Sequence, residues 1–246
     1  MRGVSAVNPY HSRFLLRAFL ICNCGDMPAC AKQWRMSGHT GKVPRRACKI
    51  VGIRDSSQPT ATTHYAVLNQ PGIQYDPKKL PLQTHENWIA EAIHISSLRF
   101  PTCNPHDLMH IEKNIIPMLV DIWTGAYKDL GPGSEDYLWD EPGKKTVLNA
   151  IGEACASSVN TIPSSFGCCV PNLATQRSEF IAESWIMFAT MLSPAILHNR
   201  FKKRVYYIHF MELIRLFNLC MQFGLDHSDI AKLERGFAKW VVEFER

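Results

Sequence analysis

Two side chains that can do chemistry together, Asp107 and His110, stand three residues apart at the start of an apolar segment. This step places an acid and an imidazole on one face of a helix, where His110 can assist a reaction or hydrogen-bond a group in the core. Asp107 also suits the N-cap position, at which a carboxylate accepts backbone N–H bonds. Glu112 and Asn114 follow closely, and we expect them to face solvent or to pair between helices rather than to bind a ligand.

A further acid, Asp26, directly follows an apolar run at residues 14–22. The run is too short to span a bilayer. It is mostly apolar and ends at Asn-Cys-Gly-Asp, so it predicts a buried strand, with a targeting segment as the alternative. Asp26 is therefore suited to cap the short helix that begins near Pro28.

The sequence predicts an α+β chain that is mostly helical, and the elements of this chain must position these acids. The first part is predicted to hold a strand at 13–23, a short helix from 27, a hairpin at 37–50, a loop-like stretch at 54–84 and a short helix at 85–95. Apolar residues at helical spacing then predict helices at 106–123, 144–159, 178–197, 205–223 and, capped by Asp226 or Ser228, up to residue 243. The expected organisation is an α/β piece at 1–60, a connector at 61–105 and a helical domain at 106–246.

The composition is that of a globular protein. The 246 residues are 46% apolar and 20% charged, which is enough to build a sizeable core. A formal charge of +5 permits a polyanionic partner but does not demand one. Nine cysteines, an odd number in a chain that is long enough to fold without disulfides, predict free thiols in a reducing compartment.

Blocks along most of the chain carry a family resemblance. They are RAFLICNCGDMPACAK, MSGHTGKVPRRACKIVGIR, HDLMHIEKNIIPMLVDIWTGAYKDL, TIPSSFGCCVPNLATQRSEFIAESW and the ending HFMELIRLFNLCMQFGLDHSDIAKLERGFAKWVVEFER. In this order they resemble transposases of the CACTA (En/Spm) DNA transposon superfamily, especially those of mushroom-forming fungi.

The resemblance implies a partial RNase H-like core of the DDE type, with a large helical region. In such a core three carboxylates hold two Mg²⁺ ions for attack on a DNA phosphodiester. By this resemblance Asp26 is the second metal carboxylate, and Asp107 and His110 match an Asp-x-x-His motif of several transposase families. Glu183 is chosen as the third carboxylate because it stands among apolar residues, where a bare acid is costly. Glu179 and an ordinary solvated acid are the alternatives.

The segment around His39 resembles a degenerate zinc knuckle. The family has Cys-x-x-Cys in this place, and here Arg45 stands at the first cysteine position, which leaves Cys48. His39, Cys48 and Cys30 are the candidate ligands for a tetrahedral Zn²⁺ ion. A hairpin without metal is the alternative.

A basic cluster ahead of the fourth helix of this domain is the candidate nucleic-acid surface. Its members are Arg200, Lys202, Lys203 and Arg204, which stand next to two tyrosines in the sequence. Basic groups neutralise phosphates, and aromatic rings stack on bases. The alternative is the solvated start of a helix.

The first metal carboxylate of the family has no counterpart in this chain. An RNase H-like core begins with a hairpin whose first strand carries that acid, and the residues before the strand at 13–23 do not resemble one. The connector between 88 and 96 is also short for the family. We therefore expect a truncated, degenerate transposase that is inactive alone, and whether it is an enzyme stays open.

The partners implied by the resemblance are the DNA of transposon ends and Mg²⁺, in the nucleus if the protein is functional. The alternatives are a non-catalytic DNA-binding module and a helical interaction module that self-associates. No membrane partner is expected.

Overall fold

The structure, a computed structural model, describes residues 3–17, 22–25, 27–33, 41–43, 45, 47–53, 68–70, 72–86, 102–127, 134–141 and 144–246. The chain divides into two compact units, Met1–Asp107 and Leu108–Arg246. As the sequence predicts, the described elements are α+β and mostly helical. Two small sheets of two strands each lie in the first unit.

A β-hairpin opens the first unit. β1 (Val4–Val7) pairs antiparallel with β2 (Arg13–Leu16). Asn8 shapes the turn, because its side-chain oxygen accepts the N–H groups of Tyr10 and Ser12. The local turn chemistry therefore sets the register of the two strands.

This hairpin corrects two sequence-based predictions. A hairpin does precede Asp26, although none of residues 1–17 is acidic. The strand predicted at 13–23 is β2, and its described side chains are exposed rather than buried. A sheet of two strands leaves both of its faces open unless another element packs on it, which the apolar composition of one strand cannot reveal.

The other described elements of the first unit are short. The predicted helix is present as α1 (Met27–Gln33). β3 (Asn69–Gln70) and β4 (Ile73–Gln74) form a small hairpin inside the stretch predicted as loop-like, with Gly72 in the left-handed region at φ 81°. In the predicted 37–50 hairpin the described residues make a single bridge, Cys48 to Leu82, and residues 34–40 lie outside the described part.

The predicted helices of the second unit are present. Their bounds are α2 (Leu108–Thr124), α3 (Thr146–Ser157), α4 (Ala182–Met187), α5 (Ser193–Ile196), α6 (Arg204–Cys220) and α7 (His227–Phe244). Asp226 caps α7 in a capping box with Asp229, as its position suggested. α3 is capped less obviously: Asp140, six residues earlier, accepts the N–H groups of Val147 and Leu148.

The helix predicted at 178–197 is interrupted. A 3₁₀ turn occupies Arg177–Glu179, and a π-helical turn at Phe188–Leu192 joins α4 to α5. The hydroxyl of Ser193 donates to the carbonyl of Ala189 at 2.5 Å, which satisfies a group inside the wide turn. Such side-chain bonds to the backbone compete with regular helix and are hard to foresee from apolar spacing.

Aromatic side chains form the centre of the helical core. The ring of Trp123, on α2, lies 5.3 Å from Trp139, 5.0 Å from Phe201 and 4.9 Å from Phe210 on α6. At the other side of α6, the Trp240 indole donates to the carbonyl of His209 at 2.9 Å, and the two rings stack 4.6 Å apart. These contacts fix α6 between α2 and α7.

None of the helices in the described part of the chain combines the length and apolar character that are needed to cross a membrane.

Candidate functional site

The acid and imidazole that the sequence singled out lie at the start of α2. Asp107 immediately precedes the first helical residue, and His110 belongs to the first turn. Both side chains are half-buried. The predicted position of Asp107 at the helix start is therefore correct, while the catalytic role of the pair remains a prediction.

The acid that stands out in the structure is Glu112. Its side chain is completely buried, and neither carboxyl oxygen has a hydrogen-bond partner among the described residues. Burial penalises the charged form and raises its pKa from 4.5 to about 7. The expectation that Glu112 faces solvent or pairs with another helix is therefore wrong.

Glu112 is buried because it lies on the apolar face of α2. The buried side chains of this helix are Glu112, Ile116, Leu119, Val120 and Trp123, which follow the spacing of one helical face. The apolar residues at 108, 111, 115, 119, 122 and 123 predict a stripe on this helix that does not include position 112. The spacing of 112, 116, 119 and 123 is the signal that would have found it.

The pKa of the Cys220 thiol, at the end of α6, is affected by the charge of Glu112. The pKa of Cys220 is raised by burial and then by the charge of Glu112. At the far end of α2, Trp123 meets Phe210 near the start of α6.

Polar contacts hold the side of α2 that lies opposite Glu112. Arg177 pairs with Asp121 at 2.6 Å and donates to the carbonyl of Pro117 at 2.9 Å, while its guanidinium lies 5.7 Å from the centre of the Trp185 ring. Pro117 has no N–H and interrupts the hydrogen-bond ladder of the helix. Arg177 stabilises this irregular part of α2 from outside.

Glu183 has a structural partner. It stands in the first turn of α4 and is exposed, so the reason for choosing it, a position among apolar side chains, is wrong. Its Oε1 accepts the backbone N–H of Cys168 at 2.9 Å, which ties the preceding loop to the helix. An acid at a helix N-terminus is also favoured by the helix dipole. The alternative acid, Glu179, is exposed and accepts from the Gln176 amide.

Two of the four basic side chains in the cluster make contacts with other residues of the protein. Lys203 pairs with Asp136 at 2.5 Å, and this partner raises the pKa of the lysine. Lys202 donates to the backbone carbonyl of Glu135 at 3.2 Å, which leaves its charge uncompensated by that contact. An acidic turn at Ser134–Asp136 therefore lies against these lysines.

The remaining members point to solvent. The side chains of Arg200 and Arg204 are exposed, and neither guanidinium is in a hydrogen bond or ion pair with another described residue. The neighbouring tyrosines pack inward: Tyr207 donates to the carbonyl of Pro194 at 2.7 Å, and Tyr206 contacts Tyr137 with ring centres 5.8 Å apart. The cluster offers cationic side chains, but its aromatic rings serve the fold.

The metal sites implied by the resemblance are not assembled by the described residues. Asp26 and His39 lie outside them. In the described part, no three acid, imidazole or thiol side chains converge where they could hold a metal ion. Cys48 is buried at its bridge, and the Cys30 thiol lies 3.2 Å from the carbonyl of Gly25.

Comparison of the chain with known protein families, curated proteins and solved structures gives no match.

Proposed function

We propose that this chain derives from a transposase of the CACTA (En/Spm) superfamily, with part of an RNase H-like core, and that it does not cleave DNA by itself. The chemistry of the family is Mg²⁺-dependent cleavage and transfer of DNA strands, in which hard carboxylate oxygens hold the cations. The order of the sequence blocks from RAFLICNCGD to the last helix supports the descent.

The observation that carries the proposed lack of cleavage concerns two acids of the helical unit, Glu112 and Glu183, neither of which is placed as a free metal ligand. Glu112 is enclosed in the core, where a doubly charged hydrated cation has no access. Glu183 holds a backbone N–H of the neighbouring loop. Metal ligands must be held with one lone pair open toward the cation, which these surroundings do not provide for Glu112.

A nicking assay on supercoiled plasmid with Mg²⁺ tests this proposal. We expect the wild-type chain to give no more nicked circles than Asp26→Asn or than the same reaction in EDTA. Asp26 is the acid that the resemblance assigns to the metal site, so its amide is the matched control. Nicking that requires Mg²⁺ and is lost in Asp26→Asn would show an active enzyme and end the proposal.

A second candidate function is DNA binding without cleavage, which the exposed Arg200 and Arg204 favour. If the cluster contacts phosphates, a double variant with Arg200→Gln and Arg204→Gln should have a weaker salt dependence of DNA binding. The slope of the logarithm of the association constant against the logarithm of the salt concentration should fall in magnitude by about 2. Lys144→Gln, which removes an exposed lysine paired with Glu141, is the control. Fluorescence anisotropy on a DNA duplex measures the slope.

An unchanged slope in the double variant, or no binding at low salt, would exclude the cluster as a DNA surface. A mass that depends on protein concentration and is unaffected by DNA would favour the helical interaction module instead.

A further inference from the structure

Two cysteines, Cys22 and Cys24, stand close together in the chain shortly before α1. The Sγ atoms of Cys22 and Cys24 are 3.5 Å apart, and both side chains are exposed. The residue between them, Asn23, donates its backbone N–H to the carbonyl of Cys103 at 2.8 Å. The Cys-x-Cys segment is therefore fastened to a third cysteine that is distant in sequence.

The electrostatics of the group agree with this placement. The pKa of Cys22 is raised by its hydrogen bond with Cys24, by burial, and by the charges of Cys24 and Cys103. The Cys24 and Cys103 thiols thus both lie close enough to Cys22 to raise its pKa. Cys103 itself is buried, while the other two are open to reagents.

The geometry permits a bond between the exposed pair. A disulfide needs sulfurs about 2.05 Å apart and Cα atoms about 4.4 to 6.8 Å apart. Residues two apart in a chain are separated by at most about 7 Å, so side-chain rotation and a small backbone adjustment close the gap. The carbonyl of Cys103 keeps the segment in place during this change.

We propose that Cys22 and Cys24 form a reversible dithiol–disulfide site that reacts with small-molecule disulfides such as glutathione disulfide. The thiolate of one of the two cysteines attacks one sulfur of the reagent, which breaks the S–S bond and releases one glutathione thiolate. The other cysteine, as thiolate, then attacks the protein sulfur of this mixed disulfide and releases the second glutathione thiolate. The two protons lost by the cysteines are taken up by the glutathione thiolates, so two thiols of the protein are oxidised and one disulfide is reduced.

Oxidation of the full-length reduced chain in glutathione buffers of increasing oxidised fraction tests the site. After acid quenching and alkylation, mass spectrometry of the peptide that contains residues 22–24 should show loss of two hydrogens, reversed by dithiothreitol. In Cys24→Ser the internal disulfide should be lost, and a glutathione adduct should accumulate at Cys22. Both positions are exposed, so serine is expected to leave the fold intact.

The other close pair of cysteines, Cys168 and Cys169, provides the control. Cys169→Ser should leave oxidation of residues 22–24 unchanged. The proposal is overturned if the wild type stops at glutathione adducts on Cys22 and Cys24. It is also overturned if the first disulfide to form joins either of them to Cys103, or if Cys168 and Cys169 close at the same oxidised fraction.

Discussion

Replacing Glu112 with glutamine is expected to remove a pH dependence of about 3 kcal/mol from the free energy of unfolding. Burial raises the pKa of Glu112 in the folded state from 4.5 to about 7, so between these values the folded chain keeps a proton that the unfolded chain has lost. The stabilising contribution is complete below pH 4.5 and is lost as the pH rises through 7. An amide stays neutral throughout, so the difference between Glu112→Gln and wild type should grow by this amount from pH 4 to pH 8.5.

Urea unfolding followed by tryptophan fluorescence measures this difference. Trp123, Trp139, Trp185 and Trp240 all lie buried in the helical unit and report on its core. Glu153→Gln is the matched control, because Glu153 lies on the exposed face of α3; its effect should stay below about 0.5 kcal/mol. A difference for Glu112→Gln that does not change with pH would contradict the burial of a neutral acid.

The substitution Gly152→Ala is expected to destabilise the helical unit by about 1 to 3 kcal/mol, although alanine is the better helix former. Gly152 lies in α3, and a Cβ there would stand 2.2 Å from Asn172 Oδ1 and 2.9 Å from the backbone nitrogen of Ala174. Asn172 cannot simply move, because its Oδ1 accepts the N–H groups of Ala174 and Thr175. Thermal and urea unfolding measure the loss.

Gly236→Ala is the comparison that separates close packing from helix propensity. Gly236 lies inside α7, and the nearest obstacle to its Cβ is the end of the Leu216 side chain, which can rotate. The gain in helix propensity of about 1 kcal/mol should then offset the contact, so the net change is small. Equal losses at both glycines would show that the backbone approach at Gly152 is not the decisive feature.

Local signals in the sequence were sufficient for most of the helical unit. α6 and α7 were predicted at 205–223 and from Asp226 to 243, close to the observed bounds, because apolar spacing and the N-cap are properties of neighbouring residues. The burial of Glu112 was missed because it depends on which face of α2 is turned toward the core. That choice depends on contacts with residues distant in sequence, such as that of Trp123 with Phe210, which no local pattern encodes.

The first unit was predicted less well for the same reason. The turn at Asn8 and the pairing of β1 with β2 involve residues with no strong apolar alternation, so the hairpin was overlooked. The contact of Asn23 with Cys103 joins positions 80 residues apart, and only the Cys-x-Cys spacing was visible in the sequence. Long-range contacts of this kind need the folded chain.

A ¹³C NMR titration of the Glu112 carboxyl carbon, assigned by comparison with Glu112→Gln, tests most directly whether this acid is a buried structural group rather than a metal ligand. We expect a titration midpoint near pH 7 and a resonance that millimolar Mg²⁺ leaves in place. A midpoint near 4.5, or a shift of the resonance on adding Mg²⁺, would contradict the role assigned to Glu112.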